Sequence, residues 1–216
     1  MKFQFVPFPD PLAPPENLTQ DLSCPCVMDV KVGARTYGPD ASLAKKSQED
    51  AKYQGTKVME DFIIIKLKCI TKYLSFQVPF GFSVGGIISH NQSGIKRLHK
   101  AFGKSLCREN LHDVLDNFIH LEPSLAKTVA RTFLAKLEEF SLFFSQQTRY
   151  HLYASSLLFV FDYGASDDTE KLVDSVRLKL IDFAHVFPGE GELDENFIFG
   201  LNNLCEMFRT FIAKMS

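Results

Sequence analysis

The chain has 216 residues, 45% of them hydrophobic and 23% charged, with a net charge of −2. That balance is ordinary for a globular protein and gives no global drive toward nucleic acid or a membrane surface, so any basic site has to be assembled locally. The length suits one large domain or two small ones.

Residues 1–15 are rich in proline and lack periodicity, so an extended arm is expected there. This opening run holds no long apolar stretch and is a poor secretory signal. No segment reaches the length of a membrane span, and the sequons at Asn17 and Asn91 then carry no meaning for glycosylation. The cysteines (Cys24, Cys26, Cys69, Cys107, Cys205) are odd in number and scattered, and the C-P-C pair has no partner pair to complete a zinc site. Reduced thiols are expected, in a cytosolic or nuclear protein.

The run "CVMDVKV" (26–32) alternates. Cys26, Met28, Val30 and Val32 face one way; Val27, Asp29 and Lys31 face the other. The pattern predicts a strand with an acid and a base on its polar face, ended by Gly33. Asp40 or Ser42 can cap a helix running to about Tyr53. On it Lys45, Gln48 and Lys52 share one face, which on spacing alone reads as a solvated surface.

The basic run "IKRLHKAFGK" (95–104) reads as a solvated face. Its "GKS" mimics the end of a phosphate loop but lacks the earlier glycine and the preceding strand. Helices are expected over 103–120 and over 124–147, the second with an apolar stripe of Leu125, Val129, Phe133, Leu137, Phe140 and Phe144. Residues 152–164 and 175–187 read as a β-hairpin joined by a polar turn, "ASDDTEK". The second strand ends in Asp182, a carboxylate placed either to cap the strand end or to hold a metal ion. A last helix is expected from about Glu195 to Ala213.

Three ordered motifs carry a resemblance. "PCVMDVKVG" (25–33), "SSLLFVFD" (155–162) and "IDFAHVFPGEGELDENFIFGL" (181–201) resemble the P-x-x-x-D-x-K-x-G, S-S-L-L and D-F-A-H segments of the inositol polyphosphate kinases. The run "DFAHVFP" is similar to the multikinase branch of that family. The resemblance implies an α+β, bilobal, protein-kinase-like fold, of which residues 16–216 supply mainly the C-terminal lobe, a small sheet flanked by helices. It implies ATP-dependent phosphorylation of inositol trisphosphate and tetrakisphosphate by direct in-line transfer with Mg2+. The alternative is an impaired product that binds inositol phosphates or a protein without turnover.

The resemblance also implies roles. Asp182 would hold the metal and, with Lys31, serve catalysis. Asp29 would meet the ATP ribose, and backbone groups of Glu16 and Leu18 the adenine. Lys31, Lys45, Gln48, Lys52 and His185 would hold the substrate phosphates. The serines of the S-S-L-L segment have no firm role, and Ser156 is read as hairpin support. Soluble inositol phosphates are the expected partners, with a phosphoinositide lipid left open. A monomer in nucleus and cytoplasm is expected, without nucleic acid.

Two departures from the family stand out. The family carries strands and an ATP-gripping lysine upstream of the hinge, where this chain has about fifteen proline-rich residues. Residues 58–77 match nothing in the family and read either as a retained in-frame intron or as an inserted hairpin.

Overall fold

The computed structural model describes residues 17–47 and 80–215. The expected arm (1–15), Glu16, Gln48, Lys52 and the 58–77 insertion lie outside them.

Strand β1 (Pro25–Val32) follows the alternation of its sequence: Cys26, Met28, Val30 and Val32 are all buried, and the residues between them are half-exposed. It is the centre of a five-stranded antiparallel sheet in the order β3-β2-β1-β5-β6. The other strands are β2 (Phe82–Asn91), β3 (Gly94–Leu98), β5 (Ser156–Asp162) and β6 (Arg177–Ile181). A separate two-stranded sheet pairs β4 (Tyr150–Leu152) with β7 (Val186–Pro188).

Helices cover one face of the large sheet. α3 (Pro123–Phe144) begins with proline in its first turn and a Glu122 side chain accepting from the Ser124 amide, both suited to a helix start. It buries Val129, Phe133, Leu137, Phe140 and Phe144, with Ala126 in place of the expected Leu125. α5 (Glu195–Lys214) packs on α3 and is capped by Asp194. Between helices and sheet the phenylalanines interlock: Phe133 lies 5.3 Å from Phe159 and 5.9 Å from Phe208, ring centre to ring centre. All three are fully buried, so Phe133→Ala carries a cost of about 3–5 kcal/mol.

Two expected elements divide. The helix expected over 103–120 is two short ones, α1 (Lys100–Ser105) and α2 (Asp113–Phe118). Asn110 explains the break. Its side chain accepts from the Cys107 amide at 2.6 Å and donates to the Ser105 carbonyl at 3.2 Å, offering the backbone an alternative to the helical ladder. Gly103 sits in α1 because a Cβ there would strike the Val84 carbonyl of β2; the glycine of "GKS" serves packing.

The expected hairpin is present as β5 and β6. Its connection is more than a turn, holding a 3-10 turn and α4 (Thr169–Asp174), capped by the Asp168 carboxylate. The far ends of both runs leave the large sheet to form β4 and β7. Ala154 (φ 57°) and Asp182 (φ 62°) mark the two points of departure. Among the described residues no helix is long and apolar enough to cross a membrane.

Candidate active site

Cross-strand register places the polar face of β1. Lys31 stands between Ser83 of β2 and Ser156 of β5, and Ser156 stands opposite Ile181 of β6. Asp182 is the next residue. Strands lie about 4.8 Å apart, so the Lys31 and Asp182 backbones are about two strand spacings, roughly 10 Å, from each other at one end of the sheet.

Side chains and backbone link the two. The Lys31 amine donates to the Ala154 carbonyl at 2.5 Å, and the Ser155 hydroxyl donates to the Asp182 carbonyl at 2.9 Å. The Ser155 carbonyl accepts from the Val32 amide at 2.9 Å, and the Tyr153 amide donates to the His185 carbonyl at 3.0 Å. Residues 153–155 and 182–185 are thus stitched together where the chain passes between the two sheets. Lys31 reaches into that crossing.

Two non-glycine residues in left-handed backbone conformation sit within this small region. Each carries a steric cost of order 1–2 kcal/mol, and such outliers concentrate at functional sites, where the surroundings hold them in place. Here the holders are the contacts just named. Ser155 is fully buried, and Asp182 carries its carboxylate at an exposed position.

Asp29 lies two residues back on the same face, opposite Leu158 and Gly86. A β-bulge at Asp29/Val30 brings Gly85 beside it, and a Cβ on Gly85 would come within 2.7 Å of Asp29 Oδ2. Asp29 Oδ1 is buried with no hydrogen-bond partner among the described residues, and so is the Ser156 hydroxyl. An unpartnered buried acceptor is costly and asks for a donor. Val27, Ile88 and Leu158 share this face. An apolar surface beside an unpaired carboxylate oxygen fits a nucleoside: a flat base on the first, a sugar hydroxyl on the second.

The segment before β1 is tied to the far edge of the sheet. Arg177 donates to the Leu18 carbonyl at 2.6 Å and to both carboxylate oxygens of Asp21 at 2.9 and 2.6 Å. The Asp162 carboxylate accepts from the amides of Ser23, Cys24 and Gly164 and from the Ser23 hydroxyl. Burial pushes its carboxyl up, but these donors together outweigh burial and hold it below the usual range. Cys26 faces the core, where burial pushes its thiol up to about 12.

Past β1, Gly33 adopts a positive φ and its amide donates to the Gly81 carbonyl at 2.7 Å. Asn196, in the first turn of α5, brackets Arg35 by accepting from its amide at 2.8 Å and donating to its carbonyl at 3.0 Å. The Arg35 guanidinium stacks 4.7 Å over Tyr153 and hydrogen bonds its hydroxyl. Arg35 therefore braces the crossing. Asp194 caps α5 through the Phe197 amide and also accepts from the Leu152 amide at 2.6 Å. Burial raises its carboxyl above the usual range, more than those two amides lower it.

Of the residues singled out from sequence, Lys31, Asp182 and His185 converge on the crossing, and Asp29 lies beside it. Lys45 is exposed on a helical turn over 43–47, capped by the Ser42 hydroxyl at 3.2 Å. Sequence reasoning missed Tyr153, Ala154 and Ser155. The doubled serine was visible, but the bridging hydroxyl belongs to Ser155, and a left-handed Ala154 inside an apolar run leaves no signal.

The fold is that of known inositol phosphate kinases. Two solved structures superpose on it at 24% identity: an inositol phosphate multikinase studied by protein engineering, at TM-score 0.66 over 90% of this chain and 83% of that one, and the Saccharomyces cerevisiae multikinase in complex with ADP and Mn2+, at TM-score 0.70 over 91% and 82%. The inositol polyphosphate kinase family model matches residues 15–209, and the chain belongs to that family. It is 31% identical over 197 residues to the inositol polyphosphate multikinase of Schizosaccharomyces pombe, covering 89% of this chain and 66% of that protein. With the human multikinase it shares 30% over 190 residues, covering 87% of this chain and 39% of that protein.

Proposed function

We propose that this chain is an ATP-dependent inositol polyphosphate kinase of the multikinase type, moving a phosphoryl group from ATP to ring hydroxyls of inositol trisphosphate and tetrakisphosphate. One observation carries the reading: the Lys31 amine and the Asp182 strand end meet at one crossing, bridged through Ala154 and Ser155.

Family membership and the ADP and Mn2+ in the yeast relative support a nucleotide and a divalent ion. The residues fit both. Asp182 offers a hard carboxylate oxygen for Mg2+, and Asp29 offers its unpaired oxygen to the ribose. A divalent ion on Asp182 would supply neutralisation of phosphate charge. Lys31 gives a cation at the same end of the sheet, next to where charge builds on the transferring group. Such preorganised charge accounts for most of the catalysis in phosphoryl transfer. His185, and Lys45 on the helical turn after β1, would present charge-assisted donors to the substrate phosphates.

The test is transfer of labelled phosphate from ATP to inositol trisphosphate by the purified chain, with Asp182→Asn as control. Turnover above the control is expected. A folded chain that binds inositol trisphosphate but shows no transfer would place it instead among non-catalytic inositol-phosphate binders.

A further inference from the structure

A second concavity, of about 350 Å³, shares no residue with the Lys31–Asp182 site. It runs along α5 where that helix faces α2 and the loop before it. Leu115, Met207 and Phe211 form a floor, each at most 6% exposed. Phe80 and Phe199 stand at one end, and Phe199 keeps 43% of its surface in water. Leaving that much ring exposed forgoes burial that a ligand could supply.

The rim is charged, and unevenly so. Arg108 and Lys214 line it against one acid, Glu206, while His112, also in the lining, lies 3.3 Å from the Asp113 carboxylate. Glu206 lies within 3.7 Å of Arg209 on its own helix, which offsets its charge. Arg108 is held 6.0 Å over the Phe80 ring, so a cation stands directly at the edge of the apolar surface. From Phe199 to Lys214 the helix covers about 22 Å. The result is an elongated groove, apolar at Met207 and Phe211 and again at Phe80 and Phe199, with Asn203 between them, under a rim that carries Arg108 and Lys214.

We propose that this groove binds an amphiphilic anion: one unbranched aliphatic chain along the floor, with a carboxylate head on Arg108 or Lys214. The shape favours a single chain over a bulky ring system, and the rim charge favours an anionic head over a neutral or cationic one. An inositol phosphate, with no apolar body, would leave the floor uncovered.

The probes are dodecanoate and dodecylamine, each titrated calorimetrically into the full chain below its micelle concentration. Dodecanoate is expected to saturate one site and to bind at least tenfold more tightly than dodecylamine. Thr210→Trp, at an exposed position on the rim, fills the groove without touching the core and is expected to weaken dodecanoate at least tenfold. Arg108→Glu with Lys214→Glu is expected to reverse the preference for the anion. Melting followed by circular dichroism checks that each variant folds. Absence of saturable binding, or dodecanoate affinity unchanged in Thr210→Trp, or an anion preference that survives the double reversal in a folded protein, overturns the proposal.

Discussion

Replacing Asp182 separates its charge from its backbone conformation. Its φ of 62° lies where a Cβ is strained and glycine is not. Asp182→Ala keeps the Cβ and loses the carboxylate; Asp182→Gly loses both; Asp182→Asn keeps the shape and loses the charge. A left-handed alanine costs about 1–2 kcal/mol. Glycine avoids that cost but gives back about 0.4–1 kcal/mol through the greater freedom of its unfolded chain. The glycine variant should therefore be about 1 kcal/mol more stable than the alanine variant, and asparagine should fall between. In a chain of this length that is a difference of about 2–4 °C in Tm.

Turnover should follow the carboxylate instead. On the proposed reading all three variants should lose at least about 1,000-fold in transfer of labelled phosphate from ATP to inositol trisphosphate, because the carboxylate that would hold the charge-neutralising divalent ion is gone. The two measurements fail independently. An alanine variant as stable as the glycine variant would refute the left-handed strain. An asparagine variant with near-normal turnover would refute the metal-holding role. A glycine variant that melts above the parent chain would show stability given up at this position for chemistry.

Lys31→Met retains most of the stem and removes the amine that meets Ala154; kcat should fall at least about 100-fold while Tm moves only a few degrees, and single-turnover kinetics with a melt check both. Gly200→Ala should destabilise by about 2 kcal/mol or more, measured by urea unfolding, because the new Cβ would overlap the Gly81 carbonyl and lie 2.7 Å from Val32, a clash that outweighs the gain in helix propensity. Asp162 and Asp194 should pull stability in opposite directions with pH. The folded carboxyl of Asp162 is lowered, so its contribution is complete above the unfolded value of about 4 and is lost as pH falls through the folded value. That of Asp194 is raised, so its contribution is complete below about 4 and declines as pH rises through the folded value. Subtracting urea stabilities of Asp162→Asn and Asp194→Asn from the parent across pH 3–7, a window of about four units around the reference values, should yield slopes of opposite sign.

Much of this was legible in the chain because strands and amphipathic helices have distinct periods. Residues 26–32 alternate strictly, and a one-residue slip would turn Asp29 and Lys31 into the core, so their face was determined at once. The stripe from Val129 to Phe144 was equally plain. The break at Asn110 was hidden because an apolar pattern continues across it and the competing bonds come from one side chain. The split of the long hairpin was hidden for a related reason. "LYASSLLFVFD" reads as one strand on composition, and nothing in Tyr153-Ala154-Ser155 announces a left-handed turn. Lys31 and Asp182 were recognised from motifs, but their meeting depends on strand order. β1 pairs with β5 across a chain separation of about 125 residues, which no local signal reports.

The two left-handed residues and the buried serine between them are best understood as one brace. Ala154 turns its carbonyl to the Lys31 amine, and Asp182 turns its carbonyl to the Ser155 hydroxyl. Relaxing either backbone would break the bond it makes, and Ser155, fully buried, has no water to replace its partner. Ser155 also anchors Val32 through its own carbonyl, and the next residue, Gly33, is locked to Gly81 at 2.7 Å. Gly81 in turn lies against Gly200 of α5, too close for any side chain. Core packing of α5 on α3 thus fixes the end of β1, and β1 fixes the crossing. The strain at Ala154 and Asp182 is sustained by helix packing on the opposite face of the sheet. Loosening α5 at Gly200 should therefore weaken turnover as well as stability, with no contact between Gly200 and the reacting groups.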